Sequence, residues 1–84
     1  MNLKDLARLA QEAGAYAEAD SLFRRAVETG ERLGAKLSVW GAWEEHARTL
    51  ELYSALLRDM GQVEAAVTME TRAQAAREKL AGRR

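Results

Sequence analysis

Apolar residues recur every three or four positions along nearly the whole chain, and short breaks containing glycine separate the periodic segments. This spacing places the apolar side chains on one face of an α-helix. The alternation with a period of two that would indicate strands is missing. The pattern therefore predicts an all-α fold of four antiparallel helices, over about residues 2–13, 15–33, 38–60 and 62–80.

The expected helix ends rest on capping signals. Asn2 is a favoured N-cap for the first helix, and Ser38 is the best N-cap candidate for the third. Glycine tolerates the left-handed backbone that ends many helices, so we expect Gly14, Gly34 and Gly61 to end the first three helices.

Each predicted helix has an inner face made of the apolar residues in its periodic stripe. In chain order the expected inner faces are Leu3, Leu6, Ala10 and Ala13; Tyr16, Ala19, Phe23, Ala26 and Val27; Val39, Trp43, Leu50, Tyr53 and Leu57; and Val63, Ala66, Met69, Ala73, Ala76 and Leu80. A chain of 84 residues can bury one small core, so we expect a single domain over residues 1–84 with a thin stability margin.

Composition narrows the classes of partner. Thirteen basic residues balance 13 acidic ones, which argues against nucleic acid because its binders carry a basic excess. The chain has no cysteine, and therefore no disulfide or thiolate metal site. No apolar run approaches the roughly 18 residues of a membrane span, and the first residues are amphipathic, unlike a signal peptide. We expect a cytoplasmic protein with no membrane partner.

The chain contains an internal repeat. Residues 61–73, GQVEAAVTMETRA, follow the pattern of residues 14–26, GAYAEADSLFRRA, at an offset of 47 residues. The glycine, two alanines and an arginine coincide, whereas Glu70 stands where the first copy has Phe23. Each copy is one pair of helices with its turn, about residues 2–34 and 38–80.

These two helix pairs resemble the tetratricopeptide repeat family. The matching positions are Leu3, Leu6, Ala7, Ala10, Gly14, Tyr16, Ala19, Phe23 and Ala26 in the first copy, and Leu50, Tyr53, Ser54, Leu57, Gly61, Val63, Ala66 and Ala73 in the second. The offset exceeds the family's usual repeat of about 34 residues because the second and third helices are longer. The resemblance implies stacked helix hairpins that act as a non-enzymatic protein-interaction scaffold without a cofactor. It also implies that Glu70 gives the last helix of the stack a polar outer face.

An apolar cluster lies where the second helix ends and the third begins. Tryptophan is enriched at interface hot spots, and two repeats are fewer than the three or so that repeat folds usually need. We therefore predict self-association as a homodimer or a higher oligomer, through Leu33, Leu37, Val39, Trp40 and Trp43. The alternative is that the two indoles pack inside one chain as ordinary core.

The resemblance also implies a peptide-binding surface, because the first helix of each pair lines the concave face in this family. The candidate positions are Lys4, Arg8, Gln11, Glu12, Arg48, Glu51, Arg58 and Asp59. They make a surface of mixed charge that would bind a protein or peptide partner. The alternative is a solvated helix face.

His46 is the remaining candidate for chemistry, because Glu44, Glu45 and Glu51 are near it in sequence. A zinc-protease helix needs the pattern HExxH, and the chain has no second histidine. The sequence therefore favours a surface histidine and no catalytic residue. The alternative function is a small helical bundle that binds a ligand or metal around His46.

Overall fold

The computed structural model describes residues 2–37 and 40–81, with side chains over residues 2–33 and 43–79. This part of the chain forms four helices and no strand: α1 (Leu3–Glu12), α2 (Tyr16–Leu37), α3 (Trp40–Asp59) and α4 (Val63–Ala81). The predicted all-α fold of four helices is confirmed. α1 packs on α2, α2 on α3 and α3 on α4.

The two hairpins are closed by the same turn. Gly14 and Gly61 have φ angles of 81° and 79°, in the left-handed region that favours glycine. In the first turn the Gly14 amide donates to the Gln11 carbonyl (3.0 Å) and the Ala15 amide to that of Ala10 (2.9 Å). These are the paired bonds of a Schellman motif, which satisfies the last carbonyls of a helix.

The second turn repeats these bonds at an offset of 47 residues. The Gly61 amide donates to the Arg58 carbonyl (3.0 Å), and the Gln62 amide donates to the Leu57 carbonyl (2.8 Å). At the opposite end of α1, the Asn2 side chain accepts from the Asp5 amide at 2.9 Å, as expected of an N-cap.

The predicted end of the second helix was wrong. Gly34 does not stop α2, which continues through Gly30 and Gly34 to Leu37. Each interior glycine costs a helix only about 1 kcal/mol relative to alanine, so the packing of α2 on α3 can outweigh it. Ser38, the expected cap of α3, lies outside the described residues.

The core lies mainly between α2 and α3. Phe23, Leu50 and Leu56 are fully buried, and the ring of Phe23 stacks on that of Tyr53 at a centroid distance of 5.6 Å. Most expected inner positions of α2, α3 and α4 are buried, and Leu56 and Ala7 join them. Alanines at the helix contacts let the backbones approach closely, as ridges-into-grooves packing requires.

Four expected core residues lie on the surface instead. Leu6, Ala13, Tyr16 and Val63 are all exposed. Tyr16 and Val63 are the first residues of α2 and α4, beside the turns, where the described helices leave them exposed. Leu6 lies on a side of α1 that no described helix covers, because α1 packs chiefly on α2.

A polar cluster ties α2 to α3 beside the aromatic stack. The buried Tyr53 hydroxyl donates to Asp20 at 2.5 Å and accepts from Arg24 Nε at 3.3 Å, and Arg24 also pairs with Asp20 at 3.0 Å. Burial, and then the hydrogen bond to Asp20, raises the pKa of Tyr53. The phenol is therefore neutral, and its polar atom is satisfied within the fold.

The helices differ strongly in length. α1 has 10 residues and α2 has 22, so at 1.5 Å per residue α2 continues about 18 Å beyond its partner. α3 has 20 residues and accompanies α2 along this extension. None of the helices in the described ranges combines the length and the apolar character that crossing a bilayer requires.

Candidate functional site

A groove of about 520 Å³ opens where α2 and α3 outrun α1. Its lining includes Leu3 and Lys4 from α1, Ala26, Gly30 and Leu33 from α2, and His46 and Thr49 from α3. α1 begins at Leu3, so none of the four described helices covers this part of the α2–α3 pair. Its volume falls in the range of protein binding sites.

His46 forms part of this groove and is a buried residue, so the predicted surface position was wrong. It is 4% exposed and packs against α2 at Gly30. A Cβ at Gly30 would lie 2.6 Å from His46 Nδ1, which is closer than real contacts allow. Glycine at position 30 therefore provides the space for the imidazole.

The surroundings of His46 favour its neutral form. Burial, and then the positive charge of Lys79, lowers the pKa of His46 below its ordinary value of 6.5. Its Nε2 lies 3.9 Å from a Glu31 carboxylate oxygen, and that carboxylate also pairs with Arg72 of α4. His46 Nδ1 is buried and has no hydrogen-bond partner among the described residues.

These groups do not amount to a metal centre. Glu31 is the one carboxylate that lies within 4 Å of His46 among the described residues. Over the same ranges, no group of three His, Asp or Glu side chains is placed to hold a metal ion. The neutral imidazole can instead exchange a hydrogen bond with a small polar group.

Two of the expected self-association residues, Leu33 and Trp43, have described side chains, and each lies at or beside the groove. Leu33 is 45% exposed, and it lines the groove. Trp43 is half-buried, packs edge-on against His46 at 5.8 Å and has Lys79 Nζ 4.4 Å from its ring centroid. Val39 and the side chains of Leu37 and Trp40 lie outside the described part.

The candidates for a peptide-binding face are largely engaged within the chain. Lys4 pairs with Glu45, and Gln11 donates to Asp59 at 3.1 Å, so both pairs link α1 to α3. Their charges and donors already have partners. The exposed candidates are Arg8, Glu12, Arg48, Glu51, Arg58 and Asp59.

Two further candidates point to α4 rather than to α1. Arg77 donates through Nε and Nη2 to Glu51, at 3.1 and 2.7 Å, and Arg58 binds Glu70 at the same two distances. The hydrogen bonds to Arg58 lower the pKa of the Glu70 carboxyl. Glu70 therefore lies at the α3–α4 boundary, partly exposed and paired, where the first copy has the buried Phe23.

Comparison with protein-family models, with curated proteins and with solved structures finds no match for this chain. The two halves of the chain do resemble each other: their turns have nearly equal φ angles at the glycine and equivalent hydrogen bonds.

Sequence reasoning missed the burial of His46, although a signal for it was present. His46 precedes Leu50, Tyr53 and Leu57 by four, seven and eleven residues, which is the spacing of one helix face. Glu44, Glu45 and Glu51 indicated a solvated surface, and these three side chains are exposed, whereas His46 packs against α2. The cation–π contact of Lys79 with Trp43 had no comparable signal, because the two residues are far apart in sequence and meet only through the packing of α4 on α3.

Proposed function

We propose that this chain is a non-enzymatic protein-interaction module of two tetratricopeptide-like hairpins, and that it self-associates through the end where α2 and α3 outrun α1. The observation that carries the proposal is Leu33, which is 45% exposed at the edge of a largely apolar groove. An exposed leucine beside an uncovered groove gives a second subunit apolar area to bury.

Two other features support this proposal. The turns at Gly14 and Gly61 have the same hydrogen bonds, as expected of two copies of one repeat unit. A chain of this size also buries a smaller share of its surface than larger domains do, so association would add the core that a short repeat array lacks.

The test is the solution mass by light scattering after size exclusion, over a tenfold concentration range. We expect a mass that rises toward at least twice the 9.3 kDa of one chain. Tryptophan emission, measured in parallel, should shift to shorter wavelength as the oligomer forms, because Trp43 lies at this end. A concentration-independent mass of one chain would contradict self-association.

A second candidate function is ligand binding around His46, and one observation favours it. The side chain lines the groove and is buried, and its Nδ1 has no hydrogen-bond partner within the part of the chain that the structure describes. Such a site would bind a small molecule that offers one polar group and an apolar body. Titration with imidazole-binding Zn²⁺, followed by Trp43 emission, tests the metal form of this function. A response equal in His46→Ala and in the unchanged chain would exclude His46 as the ligand.

A further inference from the structure

The proposed self-association leaves open how two copies meet, and the groove supplies an answer. The same patch of surface holds both a projecting side chain, Leu33, and the groove that Leu33 borders. A two-fold symmetric interface requires this combination, because each subunit presents the same patch to the other.

The floor of the groove is suited to an inserted apolar side chain. Ala26 and Gly30 carry little or no side chain on the α2 wall, and Leu3 adds an apolar wall from α1. The buried His46 next to Gly30 is neutral in its favoured form. A leucine entering here would meet apolar groups and one uncharged ring.

The charges around the groove fit a second copy in this orientation. Arg25 and Arg32 are exposed on α2, four residues before and three after Thr29, so they share the side of the helix on which Thr29 borders the groove. On the α3 edge Glu45 lines the groove, and its side chain is 55% exposed although it pairs with Lys4.

A two-fold axis through the groove would set the arginines on each α2 edge against Glu45 of the other subunit. Arg32 would then face the partner's Glu45. The chain has no net charge, so two copies do not repel each other as whole molecules.

We propose that two copies associate about a two-fold axis, with Leu33 of each seated in the groove between Leu3, Ala26, Gly30 and His46 of the other. This inference rests on the proposed self-association and specifies its interface. It places no other protein and no small molecule in the groove of the dimer.

The first test compares two exposed apolar residues. Leu33→Glu removes the inserted side chain, and Val67→Glu is the matched control, since Val67 is 47% exposed and lies on α4. We expect light scattering to give one chain mass for Leu33→Glu and twice that mass for Val67→Glu. Circular dichroism should show equal helix content in both variants. A dimer unaffected by Leu33→Glu would overturn this interface.

The second test uses a gentler change and the absence of native cysteine. A Leu33→Cys chain is mixed with a Leu3→Cys chain of different tag mass and oxidised, and a Leu33→Cys with Val67→Cys mixture is the control. A disulfide forms when the Cα atoms are within about 7 Å, so we expect the mixed disulfide in the first pair alone. Equal yields in both mixtures would overturn the proposal.

Exchange of charge gives a third, independent readout. Arg32→Glu should weaken the dimer at low salt. Adding Glu45→Lys together with Lys4→Glu, which keeps the pair between positions 4 and 45 in reversed form, should restore it. Failure of this triple variant to recover would contradict the orientation.

The outcomes separate the two proposals. A wild-type chain that stays monomeric contradicts self-association itself, and with it this interface. A wild-type dimer that survives Leu33→Glu and yields no specific disulfide contradicts the interface alone.

Discussion

The two hairpins have turns of the same geometry, but their second helices pack against different neighbours. In the first hairpin α2 packs between α1 and α3, and its Phe23 is fully buried against Tyr53. In the second hairpin α4 packs on α3, and Glu70 at the equivalent position pairs with Arg58. The difference shows that the local sequence determines the turn, whereas the number of neighbouring helices determines whether a repeated position is apolar or charged.

The same contrast appears about two helical turns after Phe23 and Glu70. Gly30 in the first hairpin and Arg77 in the second are equivalent positions at the offset of 47 residues. Gly30 lies against the ring of His46, and Arg77 reaches over the surface to Glu51. Both positions contact α3: Gly30 leaves space for the buried ring of His46, and Arg77 forms an exposed ion pair with Glu51.

The largest expected effect on the free energy of unfolding comes from replacing Phe23 by alanine, compared with the same change at its counterpart Glu70. Phe23→Ala should lower the free energy of unfolding by about 3–5 kcal/mol, because it empties the centre of a small core. Glu70→Ala should lower it far less, since the pair with Arg58 is exposed and screened by solvent. Urea denaturation followed by circular dichroism measures both. Similar losses in the two variants would remove the distinction between the hairpins.

A smaller effect is expected at Gly30. Gly30→Ala should destabilise the fold by about 1–2 kcal/mol, because overpacking against His46 outweighs the gain of about 1 kcal/mol in helix propensity. The combination with His46→Ala should recover part of this loss, since the clash is then gone. Thermal unfolding of the two single variants and the double variant gives the coupling directly. Additive losses would mean that the ring and the glycine do not compete for space.

The shared turn makes a prediction of equality. A Cβ at Gly14 or Gly61 would have open space around it, so the cost of alanine comes from the left-handed backbone alone. We expect Gly14→Ala and Gly61→Ala each to cost about 1 kcal/mol. Gly→Asn at each site is the control, because asparagine tolerates this conformation better. Chemical denaturation of all four variants would expose any inequality between the turns.

The mildest expected effect is a pH dependence that resides in His46. Its pKa is lowered in the folded state, so the unfolded chain binds the proton more readily. Titration of His46 should therefore leave the free energy of unfolding unchanged above pH 6.5, the ordinary pKa of histidine. The free energy of unfolding should fall as the pH drops below that value. The difference in unfolding free energy between the unchanged chain and His46→Ala, measured from about pH 7 to about pH 5, isolates this contribution. A constant difference over that range would contradict a neutral buried imidazole.

The helices and two of the turns follow from the sequence because they depend on local chemistry. Period, capping by Asn2 and the glycines at 14 and 61 indicate these features directly. The prediction at Gly34 was wrong because a glycine ends a helix only when its backbone is left-handed. Here α2 stays helical through Gly34, and its packing on α3 favours this. Leu6 and Tyr16 misled because membership of an apolar stripe does not reveal whether another helix reaches it.

The candidate site was harder to foresee because it arises from a difference in length. The groove needs α1 to be short and α2 to be long. The sequence indicated that α2 is the longer helix, but the expectation that Gly34 ends it understated the difference. The cluster around Leu33 and Trp43 was visible in the sequence as an apolar segment. Its neighbours Leu3, Gly30 and His46 come from three helices, and only the packing brings them together.

The slight anchoring of α1 has a consequence for how the molecule opens. Ala7 is its one fully buried described residue, and its other links to α3 are the surface contacts of Lys4 and Gln11. Local unfolding of α1 therefore costs less free energy than global unfolding, and its amide hydrogens should exchange with solvent before those of α3. Each such excursion moves Leu3 and Lys4 away from the groove, so the rate at which the α1 amides exchange also reports how often the groove widens.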